Sequence, residues 1–196
     1  VGNNDEVRVH VQAALELGAS RTKYPLVDVL ALAEVRAGRY EAACRLMQEA
    51  CMATMGISHE ITAVDQVFSA LAGTTDRPAA VAALDGLRTD LGTAGQYQFM
   101  WRRLILWYSM LGAYDQAFEV MNRSLDDFAA ADTIGVGWGF LWLRELAGFR
   151  EDARFAALAA RLRLPEYWQA HGPPDGYDWR EGRLVAQPKL LGETGR

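Results

Sequence analysis

At 196 residues, 51% of them hydrophobic, the chain is long enough to bury a sizeable core, which excludes disorder over most of its length. Its net charge is −5, and its 20 lysines and arginines are scattered among 25 acids, so it lacks the concentrated positive surface that nucleic-acid binding needs. The longest weakly polar run, residues 104–114, spans 11 residues, well short of the roughly 18 needed to cross a bilayer.

The chain opens VGNNDEV, without the basic and apolar regions of a signal peptide, and is expected to be a piece of a longer protein. A first helix is expected over residues 5–17, where Val7, Val11, Ala14 and Leu15 share a face and Gly18 offers a stop. The alternation of Val7, Val9 and Val11 is the competing strand pattern. Leu26, Val29, Leu30 and Ala33 then recur at helical spacing up to Gly38, and a partner helix follows over 40–55. Ser58 is placed to cap a helix over 60–71, and Asp76 with Pro78 opens another that runs to Leu91. Residues 96–111 and 114–130 make a third pair with the clearest amphipathic pattern, and 136–147 with 152–162 a fourth, less regular one.

After Leu164, prolines 165, 173 and 174 and glycines 172, 176 and 182 stop any helix longer than two turns. Pro165 is expected to begin a short capping helix, with Tyr167, Trp168, Tyr177 and Trp179 covering the exposed end of the last pair. The predicted organisation is an N-terminal helix and linker (1–22), a helical repeat domain (23–163), a C-terminal cap (164–186) and a flexible tail (187–196).

One phrase occurs twice: Gly38, Tyr40, Ala43 and again Gly112, Tyr114, Ala117. Gly73 and Gly148 interrupt two further helical stretches, and the four glycines follow one another at steps of 35, 39 and 36 residues. That is the period of a two-helix repeat, whose units bury their apolar faces only against their neighbours. The predicted fold class is therefore all-α, a superhelix of about four hairpins closed by a cap.

The third pair resembles the tetratricopeptide repeat: Trp101, Leu104, Tyr108, Gly112, Tyr114 and Ala117 match its consensus in type and spacing. Ile105 and Ser124 stand where that family usually has small residues or alanine. The first pair matches at Leu30, Ala31, Gly38, Tyr40, Ala43 and Ala50; the second and fourth match mainly in length and turn glycine. The end segment, through Arg154, Phe155, Leu158, Leu164, Pro165, Tyr167 and Trp168, is similar to the close of repeat arrays attached to proteobacterial winged-helix transcription regulators and adenylyl cyclases. The resemblance implies a sensor or assembly portion of such a regulator.

It also implies a concave groove lined by the first helix of each hairpin, at Asp28, Arg36, Glu60, Phe99, Arg102, Leu106, Trp138, Trp142 and Glu145. Aromatic and arginine side chains in one concavity suit a protein or peptide ligand. The bland reading of Trp138 and Trp142 is that they pack under the cap.

Catalytic chemistry finds no support in the residues. Cys44 and Cys51 lie two helical turns apart, on the order of 10 Å, and cannot pair. Gly135, Gly137 and Gly139 lack the strand or Lys-Ser/Thr that a phosphate loop requires and read as a close helix crossing. His59–Glu60 is followed by Ala63 where a zinc motif needs histidine. Asp126–Asp127 and Glu151–Asp152, adjacent on predicted helices, diverge and read as solvated faces. No catalytic residue, metal or cofactor is expected. The rival to a peptide-binding module is a small-molecule sensor using the same groove, which an enclosed pocket with convergent polar groups would favour. Oligomeric state and compartment stay open.

Overall fold

The computed structural model describes residues 6, 9–11, 13, 26–54, 58–93, 97–130, 138–181 and 183–187. The chain is mostly helical and divides into two compact units, residues 1–97 and 98–196. Among the described residues no helix is long and apolar enough to cross a membrane. In the opening segment Glu6, Val9, His10, Val11 and Ala13 are helical, so the 3.6-residue pattern prevails over the alternation.

The first unit contains α1 (Leu26–Arg36), α2 (Tyr40–Thr54), α3 (Ser58–Leu71) and α4 (Arg77–Thr93), each packed on the next. Asp76 starts α4 by accepting a 2.7 Å hydrogen bond from the Ala79 amide, the N-cap geometry, with Pro78 in the first turn. The core is built from helical stripes: Ala43, Met47, Ala50 and Cys51 on α2, Ala63, Val64, Val67 and Phe68 on α3, and Ala80, Leu84, Leu87 and Leu91 on α4. Several of these are alanine, which lets helix axes approach closely.

The second unit begins with α5 (Tyr97–Leu111) and α6 (Tyr114–Ala130). Residues 103–109 of α5 are all buried, so this helix is enclosed on every side. The positions that match the repeat consensus, Trp101, Leu104, Tyr108 and Ala117, lie in the interior. Ser124 is buried as well, its hydroxyl donating to the Val120 carbonyl at 2.9 Å.

Gly38, Gly73 and Gly112 hold positive φ values of 72°, 78° and 77°, and they close α1, α3 and α5 alike. In each case the glycine amide reaches the carbonyl three residues back, and the next amide reaches the one five back. Arg39 N to Glu34 O, Thr74 N to Ser69 O and Ala113 N to Tyr108 O span 2.8 to 2.9 Å. This is a Schellman close, and it needs a residue that tolerates the left-handed region.

Gly148 breaks the series. The predicted helix over 136–147 is instead two 3₁₀ turns, Trp138–Trp142 and Arg144–Leu146, running into α7 (Ala147–Glu151). The chain turns after it, at Asp152, before α8 (Phe155–Arg161). Gly148 sits inside α7 for a steric reason: a Cβ there would overlap the Tyr114 hydroxyl and lie 2.9 Å from Cζ of that ring. Residues 131–137, with Gly135 and Gly137, lie outside the described residues. Gly139 has open space beside it, so it marks no close helix crossing.

α9 (Leu164–His171) and an antiparallel hairpin complete the unit, β1 (Tyr177–Arg180) pairing with β2 (Arg183–Ala186) so that Trp179 faces Leu184. This short sheet is an addition to a mostly helical chain, which accords with the all-α class; β2 packs on α7 and α8. The predicted tail at 188–196 lies outside the described residues, while Gln187 is tied to Gly176 by a 2.8 Å backbone bond.

Of the four aromatics predicted to form the cap, the adjacent Tyr167 and Trp168 part company. Trp168 is 6% exposed against Trp179, with ring centroids 4.8 Å apart, whereas Tyr167 is 59% exposed and lies over His171. Trp168→Ala is therefore expected to destabilise the protein by about 3–4 kcal/mol, as large-to-small core changes do. Tyr167→Ala should stay within about 0.5 kcal/mol. Urea unfolding of both variants checks the pair, and equal losses would overturn this placement.

Asp126, Asp127 and Glu151 of the acidic pairs are exposed, and one member of each pair also carries a short ion pair. Asp126 accepts from Arg161 at 2.6 Å. Arg154 bridges Asp152 at 2.7 Å and Asp115 at 2.6 Å while lying over the Phe118 ring.

Candidate functional site

The clearest surface concentration of recognition chemistry in the second unit surrounds Trp101. Its ring, 4% exposed, is the floor. Trp138 and Phe140 of the first 3₁₀ turn approach it with centroids at 5.4 Å each, and Phe128 near the end of α6 lies at 5.6 Å. These three rings are half-buried. Phe128 also meets Trp138 edge-on at 6.1 Å, and the Arg102 guanidinium stands 5.1 Å from the Trp101 centroid. Tilted and T-shaped pairs at such separations are mutually attractive, so the rings hold one another in place before any partner arrives. The 3₁₀ geometry matters here because it carries Trp138 and Phe140, two residues apart, to the same Trp101 ring.

Of the nine predicted groove positions, Arg102 and Trp138 come together here. Leu106 lies on α5 and is buried, and the side chain of Phe99 falls outside the described residues. Glu145 is half-buried on the second 3₁₀ turn. Trp142 belongs to a different cluster, beneath the cap, where it meets Phe155, Trp168 and Tyr177 at 6.1 to 6.5 Å and Arg150 lies 5.6 Å from its ring. The bland reading thus holds for Trp142, while Trp138 packs on Trp101 instead.

In the first unit Asp28 is half-buried on α1 and Arg36 is exposed in its last turn. Glu60 is a correction: it is wholly buried on α3 and accepts a 2.9 Å hydrogen bond from the Cys51 thiol. An internal carboxyl held this way lines no groove. The pattern at Glu60, in the first turn of a helix, looks like an exposed position because the register of α3 against α2 is a tertiary matter.

Trp101, Phe128 and Phe140 were absent from the predicted set. Trp101 reads as core from its consensus position, and Phe128 and Phe140 are brought together only by the fold. Residue spacing carries no signal for that meeting.

Cys44 and Cys51 are both thiols, neither of them in a disulfide. Burial, and then the Asp65 carboxylate 4.0 Å away, push the Cys44 thiol up to about 11. Its alkylation by iodoacetamide is expected to stay slow at pH 8 and to accelerate only as pH approaches that value, because the thiolate is the nucleophile. The same shift carries a stability consequence with a definite sign. The folded state favours the protonated thiol, so its contribution is present below the ordinary thiol value of 9.0 and is lost as pH climbs toward 11. A half-maximal alkylation rate near pH 8.5 would overturn this.

No protein-family model, curated protein or solved structure matches this chain.

Proposed function

We propose that the chain is a tetratricopeptide-like helical repeat module without catalytic activity. In this reading it binds a protein or peptide partner as the sensor or assembly portion of a larger bacterial regulator. The observation that carries the reading is the aromatic patch itself: three half-exposed rings braced on a buried tryptophan, with an arginine beside them. Aromatic and arginine anchors dominate protein interface energetics, and rings already held by one another lose little freedom on binding. The repeat assignment is supported by the identical Schellman closes at Gly38, Gly73 and Gly112 and by the burial of the consensus positions Trp101, Leu104, Tyr108 and Ala117.

The test is a display selection of random peptides on the whole purified chain, with the Trp138→Ala variant as counter-target. Peptides enriched on the native protein are expected to lose more than about 1 kcal/mol, roughly fivefold or more in affinity, on Trp138→Ala and on Arg102→Ala. Circular dichroism and urea midpoints should show both variants folded. Enriched peptides that bind the native and variant proteins equally would overturn the patch as the site.

A further inference from the structure

A second concavity lies wholly within the first unit, in the seam between α2 and α3, and does not depend on the peptide reading. Its volume is about 300 Å³, at the small end of ligand pockets. α2 contributes Tyr40, Glu41, Cys44, Arg45 and Gln48, at the spacing of one helix stripe. α3 and its turn contribute Asp65, Phe68, Ser69, Ala72 and Thr74. Phe68 and Ala72 provide an apolar wall, and around it polar groups of both signs converge.

Three of those polar side chains are not engaged among the described residues. Among the described residues the Tyr40 hydroxyl, the Gln48 amide and the Ser69 hydroxyl have no hydrogen-bonding partner, and Asp65 has only the thiol of Cys44 at 4.0 Å. Arg45 makes one long contact, 4.0 Å to Glu41, with both side chains mostly exposed. Such a pair holds its partners weakly. Asp65 and Arg45, of opposite charge, both bear electrostatically on the Cys44 thiol. The seam therefore offers two carboxylates, Asp65 and the Glu41 loosely paired with Arg45, together with that cation and neutral hydrogen-bonding groups around one small cavity.

We propose that this seam binds a small zwitterion of the α-amino acid type, its ammonium on Asp65 with Ser69 and Gln48, its carboxylate on Arg45 with Tyr40, and an aliphatic side chain against Phe68 and Ala72. A ligand of either single charge would leave one of the two charged walls uncompensated, so discrimination comes from needing both. No covalent step is involved, and the Cys44 thiol serves only as a wall.

Isothermal titration of the whole chain with L-leucine, with L-leucine methyl ester and with 4-methylpentanoic acid separates the possibilities. Leucine is expected to bind, and the ester, which lacks the carboxylate, and the acid, which lacks the ammonium, to bind at least about tenfold more weakly. Asp65→Asn and Arg45→Gln, both at exposed positions, should each weaken leucine by a similar factor while the circular dichroism spectrum stays unchanged. Three results would overturn the proposal: no heat with leucine at about 10 mM, an ester that binds as well as leucine, or variants that bind it undiminished. Failure here leaves the Trp138 and Arg102 test untouched, because those residues lie in the other unit.

Discussion

Arg150→Met is expected to destabilise the C-terminal unit by about 3–5 kcal/mol, because three acceptors inside the protein lose their donor at once. Arg150 is 4% exposed on α7. One terminal nitrogen, Nη1, donates to the carbonyls of Leu141 and Leu143, the latter at 2.8 Å. Nε and Nη2 donate to the Tyr177 hydroxyl at 3.2 and 2.6 Å. The guanidinium also lies 5.6 and 5.1 Å from the ring centroids of Trp142 and Tyr177. One planar cation thus ties the 3₁₀ segment to the first strand of the hairpin, and the two aromatic faces supply part of the solvation it leaves behind. Arg150→Lys should recover only part of the loss, since an ammonium cannot present the same fork to both carbonyls and the phenol. Tyr177→Phe should cost about 1–2 kcal/mol. Urea unfolding followed by the near-ultraviolet signal of the tryptophans measures all three, and a loss below about 1 kcal/mol for Arg150→Met would refute the role assigned to it.

Gly148→Ala is expected to cost about 2 kcal/mol in the native background and to become neutral or stabilising when Tyr114 is also alanine. The added methyl collides with the outer end of the Tyr114 ring, including Cζ at 2.9 Å, and the ring must move within a packed surrounding. With the ring gone, the ordinary preference of a helix for alanine over glycine, about 1 kcal/mol, remains. The reversal of sign is the diagnostic, and a double-mutant cycle reads it directly. Additive effects would show that Gly148 is present for some reason other than the approach of Tyr114.

The helices most faithfully legible in the sequence are those closed by Gly38, Gly73 and Gly112. A Schellman close is a local structure whose requirement, one residue at positive φ, is visible in a single letter. Helices α5 and α6 end and begin where periodicity and Gly112 place them, at Leu111 and Tyr114. Gly148 misled because a glycine needed for close approach and a glycine needed for a turn look alike in sequence, and its spacing from Gly112 fitted the period. The hairpin went unseen because its strands are four residues each and its tip uses Glu181 at φ 50° rather than asparagine. Of the residues around Trp101, Arg102 and Trp138 are the two that the repeat resemblance names as groove positions, Trp138 standing in a 3₁₀ turn rather than a repeat helix. Phe128 and Phe140 were not legible, since only the tertiary fold brings rings from α6 and the 3₁₀ turn onto Trp101. Glu60, carried over as a groove position from the repeat resemblance, is instead buried, and the Cys51 thiol gives it a partner inside.

In the first unit the main contacts run from α1 to α2, from α2 to α3 and from α3 to α4, each helix leaning on the next in the chain. Such an arrangement is wired in series. A displacement of α1 reaches α4 chiefly through the three seams between them, with the α2–α3 seam in the middle. Sequence-local wiring also makes the unit quick to assemble, because little loop entropy is spent before neighbouring helices meet. The seam that houses the cavity lined by Cys44 and Asp65 is the middle link, so anything wedged there acts on the joint midway along that series of main contacts.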